Sequence, residues 1–363
     1  MEVLVPTFRR DLGHIPVYRP GRTPEEVRRE FGLDSIVKLA SNECPYEPFP
    51  AVVEAVRGAA AGVNRYPDNA RRDLRAALAS FLGVSPDQLW LGGGSNELMY
   101  VTALAAGGPG TSAVFAEPSF GLYRIASQIA LAEPIPVPLD GAHRHDLAAM
   151  ADAIRDDTTV AYVCNPNNPT GTHVPSADLD RFIASVPERV LVVVDEAYFE
   201  FASAADYGTA LGHALERSNV VVARTFSKAY GLAGLRTGYF VGDASTLEQL
   251  RSIQLPFSVG NLAQVAAMEA IKHQDLVRQR TDENRTELEF VSRELAARGL
   301  PVADSQANFV YLPPPVDADA WYGHLQSQGV IVRVAGGGVR ISIGTNAENT
   351  RLLAAVDNLL AGG

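Results

Sequence analysis

Between residues 88 and 225, short unbroken runs of aliphatic and β-branched residues alternate with longer segments in which apolar positions recur every three or four residues. The unbroken runs are Gln88–Leu91, Ala113–Ala116, Ile135–Val137, Val160–Cys164, Val190–Val194 and Val220–Ala223. They lack the polar alternation of a half-exposed sheet, so they predict parallel strands covered on both faces. The periodic segments predict helices over Pro50–Ala61, Arg72–Leu82, Leu98–Ala105, Asp146–Ile154 and Ser176–Ala184, with another after Pro118. Strand and helix taking turns in this way describe a doubly wound α/β domain, with its chemistry at the carboxyl ends of the strands. Beyond residue 255 the character changes. Helices around Leu262–Ile271 and over the polar run Asp275–Arg298 precede strands at Ala307–Leu312 and Val339–Gly344, and these predict a smaller α+β domain. Upstream, Pro6, Pro16, Pro20 and Gly21 break the chain, leaving one helix at Pro24–Phe31 and a strand at Ile36–Ala40. Such an arm has no core of its own and needs another surface to lie on. The expected organisation is an arm and the start of the small domain over residues 1–45, a large domain over 46–255 and a small domain over 256–363.

Composition narrows the function. With 363 residues, 47% of them hydrophobic, the chain is long enough to bury the cores of a large and a small domain. The net charge is −11 and the arginines are scattered along predicted helices instead of forming a stripe, which argues against a nucleic-acid partner. Cys44 and Cys164 are too few for a disulfide framework and lack metal-ligand spacing, so no metal is expected and a reducing cytoplasm suits the chain. No run of about 18 apolar residues occurs, and Met1-Glu-Val-Leu-Val-Pro6 lacks a basic segment followed by a long apolar one, so neither secretion nor membrane insertion is expected.

The chemistry centres on Lys228. Lysine occurs only at positions 38, 228 and 272, and Lys228 follows the buried-looking run that begins at Val220. An amine desolvated there favours its neutral form, a nucleophile able to condense with an aldehyde. Thr225, Ser227 and Arg236 around it offer two hydroxyls and a fixed cation to a phosphate. Gly92-Gly93-Gly94-Ser95-Asn96 turns from a strand into a helix, so its free backbone N–H groups and the positive helix end could cup the same phosphate. Two other strands end in groups suited to a pyridine ring: Asn165-Pro-Asn-Asn168-Pro-Thr-Gly171 after one, Asp195-Glu-Ala-Tyr198 after the next. A carboxylate at the end of a buried strand needs a partner, and a protonated ring nitrogen would be one. Taken alone, Asp195 equally suits a helix N-cap and the glycine triplet a tight turn; in series with Lys228 they describe one ligand, pyridoxal phosphate.

Asn168 in Asn-Asn-Pro-Thr-Gly, Asp-Glu-Ala-Tyr198, and Thr225-Phe-Ser-Lys228 with Gly234-Leu-Arg236 together resemble the signature of the fold-type I aminotransferases, which have the aspartate-aminotransferase-like fold, and within them the histidinol-phosphate aminotransferase branch. The likeness runs from Tyr18 to Thr345. It implies Lys228 as the lysine bonded to the cofactor, Asp195 on the pyridine nitrogen, and Asn168 with Tyr198 on the ring oxygen. It further implies Phe120 stacked on the ring, and Ser95, Asn96, Thr225, Ser227 and Arg236 on the phosphate. Tyr66 would arrive at that phosphate from the second subunit of a homodimer. Tyr18, Asn42, Arg333 and Arg340 fall at substrate-binding positions. The segment Val334-Ala-Gly-Gly-Gly-Val339 between the two arginines is shorter than in typical histidinol-phosphate enzymes. With Arg65-Tyr-Pro-Asp-Asn69 and Ser305-Gln-Ala-Asn-Phe-Val310, it resembles the actinobacterial aromatic (phenylalanine) aminotransferases of the same branch. That likeness implies an aromatic amino acid as donor and 2-oxoglutarate as acceptor. Histidinol phosphate as donor, and a decarboxylase or lyase on the same scaffold, stay open.

Overall fold

A computed structural model describes residues 9–17 and 21–362. Its strands are β1 (Val37–Lys38), β2 (Leu89–Gly92), β3 (Ser112–Glu117), β4 (Glu133–Pro138), β5 (Thr158–Cys164), β6 (Leu191–Asp195), β7 (Val220–Thr225), β8 (Gly238–Gly242), β9 (Phe309–Leu312), β10 (Val330–Ile331), β11 (Arg333–Ala335) and β12 (Gly338–Ser342). Seven of them form one sheet in the order β2-β8-β7-β6-β5-β3-β4. The five strands from β7 to β4 are parallel, and β8 runs antiparallel to both of its neighbours.

The unbroken apolar runs are explained by the two layers that cover this sheet. On one face Val114, Ala161, Val163, Val192, Val194, Val220 and Val222 pack on helices Leu147–Asp152, Ser176–Ser185 and Leu211–Glu216. On the other, Phe115, Val160, Tyr162, Val193, Val221 and Phe240 pack on helices Ser95–Ala106, Leu122–Ile129 and Ala244–Arg251. Successive residues of one strand therefore serve opposite cores, and neither parity can be polar without losing roughly 1.5–3 kcal/mol of burial per aliphatic side chain.

A second, antiparallel sheet, β11-β12-β9, sits with helices Gln274–Ala297, Ala318–Ser327 and Asn346–Ala361 around Val291, Leu295, Leu325, Leu352 and Val356. The N-terminal segment is stitched into this part: β1 pairs in parallel with β10, and the Ser342 N–H donates to the Leu39 carbonyl at 2.8 Å. The helix at Pro24–Phe31 starts where its sequence says it should. The Thr23 hydroxyl and the Glu26 carboxylate cap each other's backbone N–H groups, and Gly32 ends the helix at φ 65°. The arm's described stretch lies on the large sheet's outer helix, with Arg9 donating to the Ile129 carbonyl at 3.0 Å. Among the described residues no helix is long and apolar enough to cross a membrane, and no group of three His, Cys, Asp or Glu side chains could hold a metal ion.

Candidate active site

Strand direction brings the site together. The parallel strands β5, β6 and β7 deliver Cys164, Asp195 and Thr225 to one edge of the large sheet. Because β8 is antiparallel, it begins at that same edge, and the register Gly92–Gly238–Thr225 sets the glycine turn, Arg236 and Thr225 side by side. Every site residue expected from the sequence except Tyr18 and Tyr66 lines a pocket of about 330 Å³ there. Tyr18 lies outside the described residues. Tyr66 is 82% exposed, away from its own chain's pocket, and stacks on Phe257 at 4.5 Å between ring centroids.

At the phosphate end, helix Ser95–Ala106 starts after Gly94 with no side chain capping its N-terminus, so the first N–H groups are available to an anion. Gly94 has φ 84°, and a Cβ on it would stand 2.6 Å from Arg236 Nη2. Only glycine lets the guanidinium lie against this turn. Arg236 itself, at φ 54°, donates to the Ala233 carbonyl at 2.9 Å and to Ser227 Oγ at 3.4 Å. An uncapped helix start, two hydroxyls and a held guanidinium are a donor set that fits a phosphate.

At the opposite end of the pocket Asp195 is buried, and burial pushes its carboxyl up to about 6 against the pull of its hydrogen bonds. Those bonds come from neutral donors: Tyr123 Oη to Oδ2 at 2.8 Å, and the Ala197 N–H to Oδ1 at 3.2 Å. A cation facing this carboxylate would restore its charge, as a protonated ring nitrogen does. The Ala197 contact closes a local turn two residues on; no helix starts at Asp195, the short helix Phe199–Phe201 that follows having Tyr198 at its N-cap, so the helix N-cap role open to Asp195 in the sequence is not the one it takes. Between the two ends, Tyr198 accepts from Asn42 Nδ2 at 2.9 Å and Asn168 Nδ2 at 3.3 Å. Burial raises its pKa, so it remains a neutral phenol whose proton is available to an acceptor in the pocket. Phe120 borders the pocket edge-on to Tyr123 at 5.6 Å.

Lys228 Nζ lies 5.9 Å from the centre of the Tyr198 ring and donates to the Ser41 carbonyl at 3.1 Å. Burial brings its amine down to about 7, with the Arg340 and Arg236 charges acting in the same direction. A large fraction of the amine is therefore neutral at physiological pH, the state a nucleophile or proton acceptor needs. Arg340 Nη1 donates to Asn168 Oδ1 at 2.6 Å and Nη2 to the Ala40 carbonyl at 2.6 Å, with its Cζ 5.5 Å from the Phe309 ring centre. Arg333 is its cross-strand partner. The segment between them is a β-hairpin, β11 to β12, turned by Gly336 and Gly337 at φ 56° and 77°.

Several positions that shape the pocket were not visible in the sequence. Tyr123, fully buried and stacked on Tyr162 at 4.7 Å, is the hydrogen-bond donor to Asp195 from 72 residues away, and nothing local marks it. Ser342 is another: its hydroxyl bonds both the N–H and the Oδ1 of Asn42, at 2.8 and 3.0 Å, and holds Asn42 at φ 53° beneath Tyr198. Glu196, in the same Asp-Glu-Ala-Tyr run, points away from the pocket into a buried pair with Arg224 at 2.8 Å and is structural.

The comparisons agree with this geometry. The sequence model described as "Aminotransferase class I and II" matches residues 34–356. The chain is 43% identical to an aromatic amino acid aminotransferase of Rhodococcus jostii over 352 residues, 97% of this chain and 95% of that one. It is 41% identical to a histidinol-phosphate aminotransferase of Brevibacillus brevis over 353 residues, 96% of each. The crystal structure of histidinol-phosphate aminotransferase from Sinorhizobium meliloti in complex with pyridoxal 5′-phosphate superposes with a TM-score of 0.91 at 28% identity, each chain fully covered. With a family match over most of its length and relatives above 40% identity that split between two donor specificities, the chain belongs to the class I and II aminotransferases, in the histidinol-phosphate aminotransferase branch.

Proposed function

We propose that the protein transfers the amino group of an aromatic amino acid, phenylalanine or tyrosine, to 2-oxoglutarate. The cofactor is pyridoxal 5′-phosphate. When bound, it supplies an aldehyde that carries the amino group and a ring that accepts the electron pair left on the substrate's α-carbon. In this reading Ser95, Asn96, Thr225, Ser227 and Arg236 hold the phosphate. Asp195 keeps a proton on the ring nitrogen, Asn168 and Tyr198 hold the ring oxygen, and Phe120 covers the ring. Lys228 Nζ takes the α-proton and returns it. The chain divides accordingly into an arm over residues 1–45, a cofactor domain over 46–255 and a small domain over 256–363.

The observation that carries the donor assignment is the position of Arg340. Its guanidinium bonds Asn168, which bonds Tyr198, and its charge acts on Lys228. An arginine so close to the reacting amine suits a carboxylate on the α-carbon, by a charge-assisted fork. An amino-acid donor has that carboxylate, as do glutamate and 2-oxoglutarate, so Arg340 would serve both half-reactions; with histidinol phosphate, which has none, it would serve only the half-reaction with glutamate and 2-oxoglutarate. The second reading, histidinol phosphate as donor, is favoured by Arg333 standing opposite Arg340, two cations that could share a phosphate dianion. With 2-oxoglutarate as common acceptor, kcat/KM for phenylalanine or tyrosine is expected to exceed that for histidinol phosphate. A clear preference for histidinol phosphate would establish the second reading.

The functional unit in this proposal is a homodimer in which Tyr66 of the partner subunit completes the phosphate site. In one chain Tyr66 and Phe257 stack on each other at the surface, and Val63, Ile253 and Leu255, close to them in the chain, are exposed too, the kind of apolar surface a partner covers. Light scattering at assay concentration should give a dimer, and Tyr66→Phe should weaken cofactor retention while the dimer persists. A fully active monomer would rule this out.

A further inference from the structure

The hairpin that carries Arg333 and Arg340 is held at its tip as well as at its strands. Tyr311, the cross-strand partner of Arg340 on β9, donates its hydroxyl to the carbonyls of Ala335 and Gly336, at 3.2 and 2.9 Å. Gly336 also rests on the large sheet's side of the cleft. A Cβ built on it would stand 2.5 Å from Pro118 Cβ and 2.9 Å from Pro118 Cγ. Pro118 opens the turn that carries Phe120. Its carbonyl accepts from Asn167 Nδ2 at 3.1 Å, and the neighbouring Ser119 hydroxyl donates to Asn167 Oδ1 at 2.8 Å. The next residue, Asn168, accepts from Arg340. The circuit is closed: hairpin tip to Pro118, Pro118 through Asn167 to Asn168, Asn168 to Arg340, and Arg340 back along β12 to the tip.

We propose that the Gly336–Pro118 contact is a stop that sets how far Arg333 and Arg340 reach over the pocket, so that Gly336 is a positioning residue for substrate binding. This rests on the reading of Arg340 as the carboxylate-binding group. Any side chain at 336 must lift the hairpin off Pro118 and move both guanidinium heads, and small misplacements of binding groups carry large kinetic penalties. Gly337 provides the internal control. Its φ of 77° makes the same demand on the backbone, but a Cβ there would meet only Pro314 Cγ, at 3.5 Å. Alanine at 337 therefore brings the strain of a left-handed residue without the push.

The test compares Gly336→Ala and Gly337→Ala as holoenzymes, measuring kcat, the two substrate KM values and the dissociation constant of pyridoxal phosphate. Gly336→Ala should raise KM for the amino donor and for 2-oxoglutarate by on the order of tenfold, with kcat and cofactor affinity close to wild type. Gly337→Ala should keep wild-type KM values. Equal effects in the two variants, or unchanged KM values in Gly336→Ala, would overturn the stop. Pro118→Gly, which removes the stop from the other side, must also raise both KM values; unchanged values there overturn the proposal even where Gly336→Ala yields no folded protein. Arg340→Lys separates the two levels. Unchanged KM for 2-oxoglutarate in that variant refutes the carboxylate role of Arg340, whereas matching Gly336 and Gly337 variants refute only the stop.

Discussion

Lys228→Ala leaves a folded protein that still binds pyridoxal phosphate but turns over at a rate lower by at least about 10⁴-fold, because no other amine is in place to bond the cofactor and move the α-proton. Lys38 and Lys272, the only other lysines, are tied on the surface to Glu43 and Glu269. The phosphate and ring contacts proposed for the site do not involve Lys228 Nζ, so binding should persist. Stability separates this effect from unfolding. The folded protein lowers the Lys228 pKa to about 7, so the unfolded chain binds this proton more readily above that pH. Wild-type stability without cofactor therefore gains from this group as pH rises from about 7 towards the ordinary lysine value, and the gain is missing in the variant. Thermal melts of the two apo proteins across that range should diverge in favour of wild type with rising pH. A variant that retains transamination would show that the nucleophile lies elsewhere.

Asp195→Asn carries the second large effect. The amide oxygen keeps an acceptor for the Ala197 N–H, and the amide NH2 can donate to Tyr123 Oη where the carboxylate accepted from it, so the packing around β6 and the turn contact survive, while the negative charge facing the pocket is lost. Turnover should fall by roughly 10²–10³-fold, the usual size of removing one preorganised charge from an active site. The raised carboxyl pKa makes the opposite prediction for stability. In the fold without cofactor, ionising Asp195 is disfavoured up to about pH 6. Above that pH the wild type bears the cost of a buried charge that asparagine does not have, so the apo variant should melt no lower than wild type. If Asp195 only closed the local turn, activity would stay near normal. Tyr123→Phe offers a milder version of the same test, since it removes one of the two hydrogen bonds that hold the carboxylate in its ionised form.

Much of this was legible in the chain because the large sheet is parallel and buried. Six apolar runs without polar alternation predicted six of its seven strands, and the polar residues that follow β2, β5, β6 and β7 are among those that meet at the pocket. The seventh strand, β8, was missed because Gly238-Tyr-Phe-Val-Gly242 is short and glycine-bounded, and a sequence of parallel crossovers gives no signal for one reversed strand. Yet that reversal is what brings Arg236 to the edge of the sheet where Thr225 ends. The helices Leu211–Glu216, Ala244–Arg251, Ala318–Ser327 and Asn346–Ala361 were not predicted, the first two being too short to show a helical period. The run of three glycines at 336–338 lies in the segment between the two arginines that is shorter than in typical histidinol-phosphate enzymes, and the sequence reading gave it no structure. Two adjacent residues at positive φ flanked by strand make it a hairpin turn, a signal that was present in the glycines themselves. Tyr123, Ser342 and the Ser41 carbonyl could not have been found. Their roles exist only through partners 72, 300 and 187 residues away.

The central claim, amino transfer from an aromatic amino acid at the Lys228 site, is tested most directly by following nitrogen. Holoenzyme is given ¹⁵N-labelled phenylalanine with unlabelled 2-oxoglutarate, and the products are resolved by mass spectrometry. The account predicts labelled glutamate and phenylpyruvate in equal amounts, with no carbon dioxide released and no labelled glutamate formed by Lys228→Ala. Unlabelled glutamate, or an amine product with loss of the carboxylate, would contradict it.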